Sequence, residues 1–241
     1  MSVCDGNFPD RLLGESGTPM RVEDASLVPH NVPGDGNCFF HTIAGAFIKS
    51  IHMWREIKDD SGNSLCDKIT NSWFWFLRTN PWVTPEEHFD QGFFRFIAMS
   101  QVTEESVRLF RATHYQHPIN PEDIPLDQAR LDMEKHVLQT GSFGDQHSLS
   151  LLNKYLEGFL RIHVYDEVTR NWVGRGEFNN TAYILISLRN EHYKLFQFQG
   201  RERSFFISRE QMERQTPRLL MTLLGIPIFE TQTNPTVIDL T

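Results

Sequence analysis

The run Val32-Pro33-Gly34-Asp35-Gly36-Asn37-Cys38-Phe39-Phe40-His41 places a cysteine where a turn hands over to a helix. Gly34 and Gly36 allow backbone conformations that other residues resist, and Asp35 and Asn37 are turn and cap residues. From Phe40 onward Ile43, Ala44, Phe47, Ile48 and Ile51 recur at helical spacing, so Cys38 falls in a first helical turn. Unpaired N–H groups and the positive end of the helix dipole favour a thiolate there, and the N–H groups of the preceding loop are free to hold a developing oxyanion. A lone cysteine in a half-apolar context is otherwise a small buried hydrophobe, so the run needs a partner before it means catalysis.

That partner comes late in the chain. Tyr183-Ile184-Leu185-Ile186-Ser187-Leu188-Arg189 and His192-Tyr193-Lys194-Leu195-Phe196-Gln197-Phe198 read as two strands joined by the tight polar turn Asn190-Glu191, with the histidine just after it. A cysteine early and a histidine much later, remote in sequence but able to meet in space, is the arrangement of a thiol hydrolase.

Three blocks together carry a resemblance. Gly34 to Phe40, then Gly141-Ser142-Phe143-Gly144-Asp145-Gln146-His147-Ser148-Leu149, then Asn190-Glu191-His192-Tyr193 resemble, in order, the signature blocks of the ovarian-tumour (OTU) family of cysteine proteases. They span roughly residues 30 to 200. The resemblance implies a papain-like α+β fold and removal of ubiquitin, or of a ubiquitin-like modifier, from proteins. It implies Cys38 as nucleophile, His192 as base, backbone N–H groups of Asp35, Gly36, Asn37 and Cys38 as the oxyanion donors, and no cofactor. Tyr193 would line the channel that admits a Gly-Gly tail or simply pack in its strand. Many family members place an Asp or Asn two residues after the histidine; Lys194 stands there in this chain. Asp35, three residues before the cysteine, is then the expected third catalytic group, with Asn190 and Glu191 as rivals. A ubiquitin-binding module that no longer cuts, or a papain-like acyl transferase, are the competing functions, and the presence of both Cys38 and His192 argues against the first.

Composition is compatible with this. The 241 residues suffice for one domain with a sizeable core and modest extensions. Cys4, Cys38 and Cys66 are scattered, which suggests neither a disulfide framework nor a clustered zinc site and points to a reducing, intracellular setting, cytoplasmic or nuclear. No positively charged segment followed by an apolar run opens the chain, and no stretch has the length of a membrane span. A formal net charge of −8 argues against nonspecific nucleic-acid binding and suits a basic partner, such as the arginine-bearing tail of ubiquitin.

Residues 1–28 read as a loosely ordered arm, 29–200 as the catalytic domain and 201–241 as an extension. In the arm, Cys4-Asp5-Gly6-Asn7 imitates the active loop but begins no helix. Between about 38 and 140 the signals are mainly helical, and the aromatic cluster Trp73, Phe74, Trp75, Phe76, Phe93, Phe94 and Phe96 reads as core. Residues 145–159 predict a helix capped by Asp145, and Arg161 to Tyr165, Trp172-Val173, Phe178, Ala182 to Leu188 and Tyr193 to Phe198 predict a small twisted sheet. His114-Tyr115-Gln116-His117 offers two imidazoles without further ligands in reach, so no metal site is expected. In the extension, Ser208-Arg209-Glu210-Gln211 and Thr216-Pro217 predict helix starts, and Val237-Ile238-Asp239-Leu240 resembles a SUMO-interacting motif that adds a strand to its partner.

Overall fold

A computed structural model describes residues 20–22, 25–83, 89–115, 119–173, 180–200 and 203–209. Its centre is an eight-stranded mixed sheet in an α+β arrangement. The run Ala182–Arg189 forms β5, buried at six successive positions because both faces are covered, which is why the sequence there is continuous rather than alternating. Strand β3 (Leu160–Asp166) pairs with β5 in parallel, and β4 (Asn171–Val173) lies antiparallel beyond it. On the other side β6 (His192–Gln199) returns from β5 as a hairpin. Asn190 and Glu191, at φ 49° and 61°, supply the two left-handed residues that such a two-residue turn demands.

The edge beside β6 decides where the site forms. Strand β2 (Ala25–Asn31) runs antiparallel to β6, from Ser26 opposite Gln199 to Asn31 opposite Lys194, and β1 (Met20–Val22) pairs with β2. The last residue of β2 therefore lies near the first of β6, and the loop that leaves β2 must start beside His192. Residues 20–22 and 25–28, read from sequence as part of a loose arm, are strand. Their apolar alternation is short; among the described residues β1 pairs only with the adjacent β2, and the other partner of β2, β6, is far away in sequence. Likewise β7 (Arg203–Ser204) and β8 (Phe206–Ser208) pair with β6 and β5, so the sheet extends past residue 200 into what the sequence assigned to the extension. Ser208, expected to open a helix, ends β8; the rest of that helix beyond Arg209, the helix start at Thr216-Pro217, the Val237 to Leu240 motif, Phe178, Cys4 and His117 lie outside the described residues.

Helix α1 (Cys38–Lys49) is buried at every position from Cys38 to Phe47, and packs on β6. A short α2 (Ile51–Trp54) follows, its Trp54 indole donating to the Phe47 carbonyl. Helix α3 (Leu65–Thr79) is capped by Ser64, α4 (Gln91–Met99) by Asp90 and α5 (Glu104–His114) by a Thr103 capping box. Then come α6 (Leu126–Leu138) and α7 (Gln146–Tyr155). Asp145 caps α7 as expected, accepting from the N–H groups of His147 and Ser148; the helix stops at Tyr155, and Leu156 and Phe159 are still buried. Trp73, Phe76, Phe93 and Phe94 are core, with Phe47 meeting Trp54, Phe94 and Phe206 edge-on or tilted. Phe74 and Trp75 are not: they are 49% and 54% exposed on the outer face of α3. Among the described residues no helix is long and apolar enough to cross a membrane.

Candidate active site

The loop from Val32 to Asn37 leaves β2 and enters α1 through a crowded corner. Gly36 adopts φ +82°, and a Cβ there would lie 2.1 Å from the Gly141 carbonyl oxygen, so glycine is required on both conformational and steric grounds. Gly144 is held as closely on the other side, where a Cβ would come within 2.5 Å of the Phe39 ring. The first two sequence blocks are thus pressed face to face. Asn37, expected as a cap, makes no side-chain cap to α1. Its amide oxygen accepts instead from the Gly141 N–H at 2.7 Å and from Arg95 at 2.9 Å.

Cys38 is the first residue of α1 and 2% exposed. Its thiol donates to the Glu191 carbonyl at 3.9 Å, which sets the sulfur directly under the β5–β6 turn. The N–H groups of Tyr193, Phe39 and Cys38 itself are directed at the sulfur. On the loop's other flank the His192 ring lies 3.8 Å from the position of a Cβ on Gly34. The third block is therefore brought onto the first, as the sequence requires.

The electrostatics differ from the expected helix-stabilised thiolate. Burial pushes the Cys38 thiol up, the three N–H groups work against it, and the charge of Asp35 adds to the upward shift. Desolvation at a site this closed outweighs the partial charges of one helix end. Burial thus favours the thiol form of Cys38 over the thiolate.

Asp35 is not where its expected role places it. Its carboxylate is held by His41 Nε2 at 3.1 and 3.2 Å and accepts the Asn37 N–H at 2.9 Å; among the described residues it makes no bond to His192. Burial alone would raise its pKa, but His41 and Asn37 bring it down to about 2. Asp35 thus ties the loop to the first turn of α1, and the structure does not bring its carboxylate to the imidazole where the sequence reading expected it. The turn residues Asn190 and Glu191 do not take its place, since among the described residues no side chain hydrogen-bonds the His192 ring. One of the expected oxyanion donors is engaged within the loop. The Asn37 N–H is taken by Asp35, which leaves those of Asp35, Gly36 and Cys38. Tyr193 is 4% exposed, wedged edge-on against Phe39 at 5.1 Å and stacked on Phe143 at 5.2 Å. Its ring is packed in the core behind the loop, and burial pushes its phenol up.

Two residues at the site escaped sequence reasoning. His41 sits one helical turn past Asn37 and was indistinguishable from an ordinary helix residue. Arg95 lay hidden in Phe93-Phe94-Arg95-Phe96; a charge between aromatics on a helix buried nearly all round was the available signal. Among the described residues no group of three or more His, Cys, Asp or Glu could hold a metal ion. Cys38 is a free thiol.

No protein-family model matches the chain, and no curated protein matches it significantly. Among solved structures it is similar to an ovarian-tumour (OTU) domain in complex with ubiquitin, at 16% identity over 86% of this chain and 90% of that one, with a TM-score of 0.49. It is also similar to the viral OTU domain protease from Farallon virus, at 11% identity over 77% of this chain and 99% of that one, TM-score 0.34. The Hazara virus OTU bound to ubiquitin matches at 16% identity over 76% and 95%, TM-score 0.29. At such distances the chemistry has to be argued from the residues of the site.

Proposed function

We propose that this protein is a thiol isopeptidase that cleaves after the carboxy-terminal glycine of ubiquitin or a ubiquitin-like modifier. The observation that carries the reading is the seating of the β5–β6 hairpin on the amino end of α1, with Cys38 Sγ 3.9 Å from the Glu191 carbonyl and His192 the next residue. The signature-like blocks around Cys38, Gly141 and His192 support it. So does the burial of the thiol, since a tail ending in Gly-Gly has no side chains to obstruct a narrow approach. The negative charge of the chain suits that tail's arginines.

In this reading His192 takes the Cys38 proton as Sγ attacks the glycine carbonyl carbon. The oxyanion is held by N–H groups of Gly36 and Cys38, a contribution worth about a hundredfold or more per donor. The imidazolium then gives its proton to the departing lysine amine, the C–N bond breaks, and a thioester remains. Water, deprotonated by His192, attacks the thioester and releases a carboxylate and the free thiol. The setting is cytoplasmic or nuclear.

Incubation with ubiquitin chains of each linkage, followed by gel electrophoresis, tests the proposal. Cleavage by the wild-type protein and none by Cys38→Ala or His192→Ala is expected. Wild-type protein that cuts no linkage, or a Cys38→Ala variant that still cuts, would overturn it.

A further inference from the structure

A guanidinium that is 1% exposed must have a reason to be buried, because withdrawing it from water is costly unless every donor finds an acceptor. Arg95 finds four, on four segments. Its Nε donates to Gln91 on its own helix at 2.7 Å. One terminal nitrogen donates to the Val137 carbonyl at 2.7 Å, an unpaired group in the last turn of α6 where the helix dipole is negative. The other donates to the Ser142 carbonyl at 2.6 Å and to the Asn37 amide oxygen at 2.9 Å. The plane lies over the Phe40 ring, 4.1 Å from its centroid. Burial draws Arg95 down to about 10, so it stays cationic at neutral pH.

Asn37 is the one side chain in this set that belongs to the nucleophile loop. Its amide oxygen is gripped by Arg95 on one side and by the Gly141 N–H on the other, and Gly36 and Cys38, with their N–H groups, flank it in the chain. We propose that Arg95 is a positioning residue that holds the loop in its oxyanion-binding shape by bracing Asn37 against the 141–142 segment. The inference rests on the isopeptidase reading for its substrate. A lysine could not replace the arginine fully, since only a planar fork with five donors reaches all four acceptors at once.

A merely structural arginine and one that shapes the oxyanion loop differ in what their removal spares. Alkylation of Cys38 by iodoacetamide is displacement at a saturated carbon, forms no oxyanion and reports only the thiol's reactivity. The variants Arg95→Met, Arg95→Lys, Asn37→Ala and the double variant Arg95→Met/Asn37→Ala are compared on a fluorogenic carboxy-terminal amide of ubiquitin and with iodoacetamide. We expect kcat to fall about tenfold to a hundredfold in Arg95→Met and Asn37→Ala, as for loss of an oxyanion donor, with KM unchanged, and with the alkylation rate unchanged in Asn37→Ala and Arg95→Lys, which keep the positive charge that interacts with the Cys38 thiolate. The double variant should be no worse than either single one, and Arg95→Lys should lie between wild type and Arg95→Met. A rise in KM at constant kcat, a parallel fall in alkylation in Asn37→Ala or Arg95→Lys, or losses that multiply in the double variant would overturn the inference. If Arg95→Met does not fold, Arg95→Lys and Asn37→Ala carry the same test.

If the wild-type protein leaves ubiquitin substrates uncut while Cys38 still alkylates, the isopeptidase reading fails. The inference is then judged with a short Gly-Gly aldehyde peptide, whose hemithioacetal oxygen occupies the same hole. Weaker aldehyde binding in the variants at constant alkylation supports it, and equal binding overturns it.

Discussion

Replacing Gly36 by alanine puts a methyl group 2.1 Å from the Gly141 oxygen on a residue held at φ +82°. The left-handed conformation costs an L-residue about 1–2 kcal/mol. The methyl cannot be accommodated unless the two loops separate, and separation breaks the bond from the Gly141 N–H to Asn37, a further loss of about 1–1.5 kcal/mol. The total of about 2–3.5 kcal/mol corresponds to a fall in Tm of roughly 4–14 °C for a domain of this size. Displacing the Gly36 and Cys38 N–H groups should lower kcat about a hundredfold. Gly62 is the internal control. It has nearly the same φ, +81°, and nothing within 4 Å of a Cβ. Gly62→Ala should show the conformational cost alone, about 1–2 kcal/mol, with kcat unchanged. Scanning fluorimetry and steady-state kinetics on a ubiquitin amide substrate read both. If Gly36→Ala proves as mild as Gly62→Ala on both measures, the close approach of the two loops is wrong.

Because burial raises the Cys38 thiol, its alkylation by iodoacetamide in the free protein should climb with pH through the alkaline range, the thiolate fraction growing as pH nears the raised pKa; a plateau reached by pH 6 would show a preformed thiolate instead. Asp35→Ala should lower kcat about tenfold or more by loosening the loop, yet leave the acid limb of the pH–rate profile in place, because Asp35 holds His41 and not His192. A shifted limb in that variant would restore Asp35 as the acid that orients the base. A labelled peptide of residues 231–241 should bind SUMO saturably if Val237 to Leu240 add a strand to it, and no saturation at high micromolar SUMO would end that expectation.

The α+β class, the capped helix after Asp145, the β5–β6 hairpin and the two ends of the site were legible because each is written in local pattern: a turn that feeds a helix, a helical stripe, a two-residue turn between apolar runs. What was illegible depends on partners remote in the chain. Residues 25–28 look like tail until β6 is placed beside them, and Phe74 and Trp75 look like core until α3 is oriented. Asp35 was read as an orienting acid because Lys194 leaves that position vacant, but no spacing rule shows that His41, six residues on, takes its carboxylate first. Arg95 was invisible for a related reason. Its acceptors are two backbone carbonyls and two side-chain amides, and neither kind leaves a charge pattern in the sequence to pair with.

The central claim is that Cys38 is the nucleophile of a site shaped for a glycine-terminated ubiquitin tail. Intact-protein mass spectrometry after incubation with ubiquitin bearing a carboxy-terminal electrophile tests it most directly. The account predicts one adduct per chain, mapped to Cys38 by peptide digestion and absent from Cys38→Ala. An adduct on Cys4 or Cys66, or none on a folded protein whose Cys38 still reacts with iodoacetamide, would contradict it.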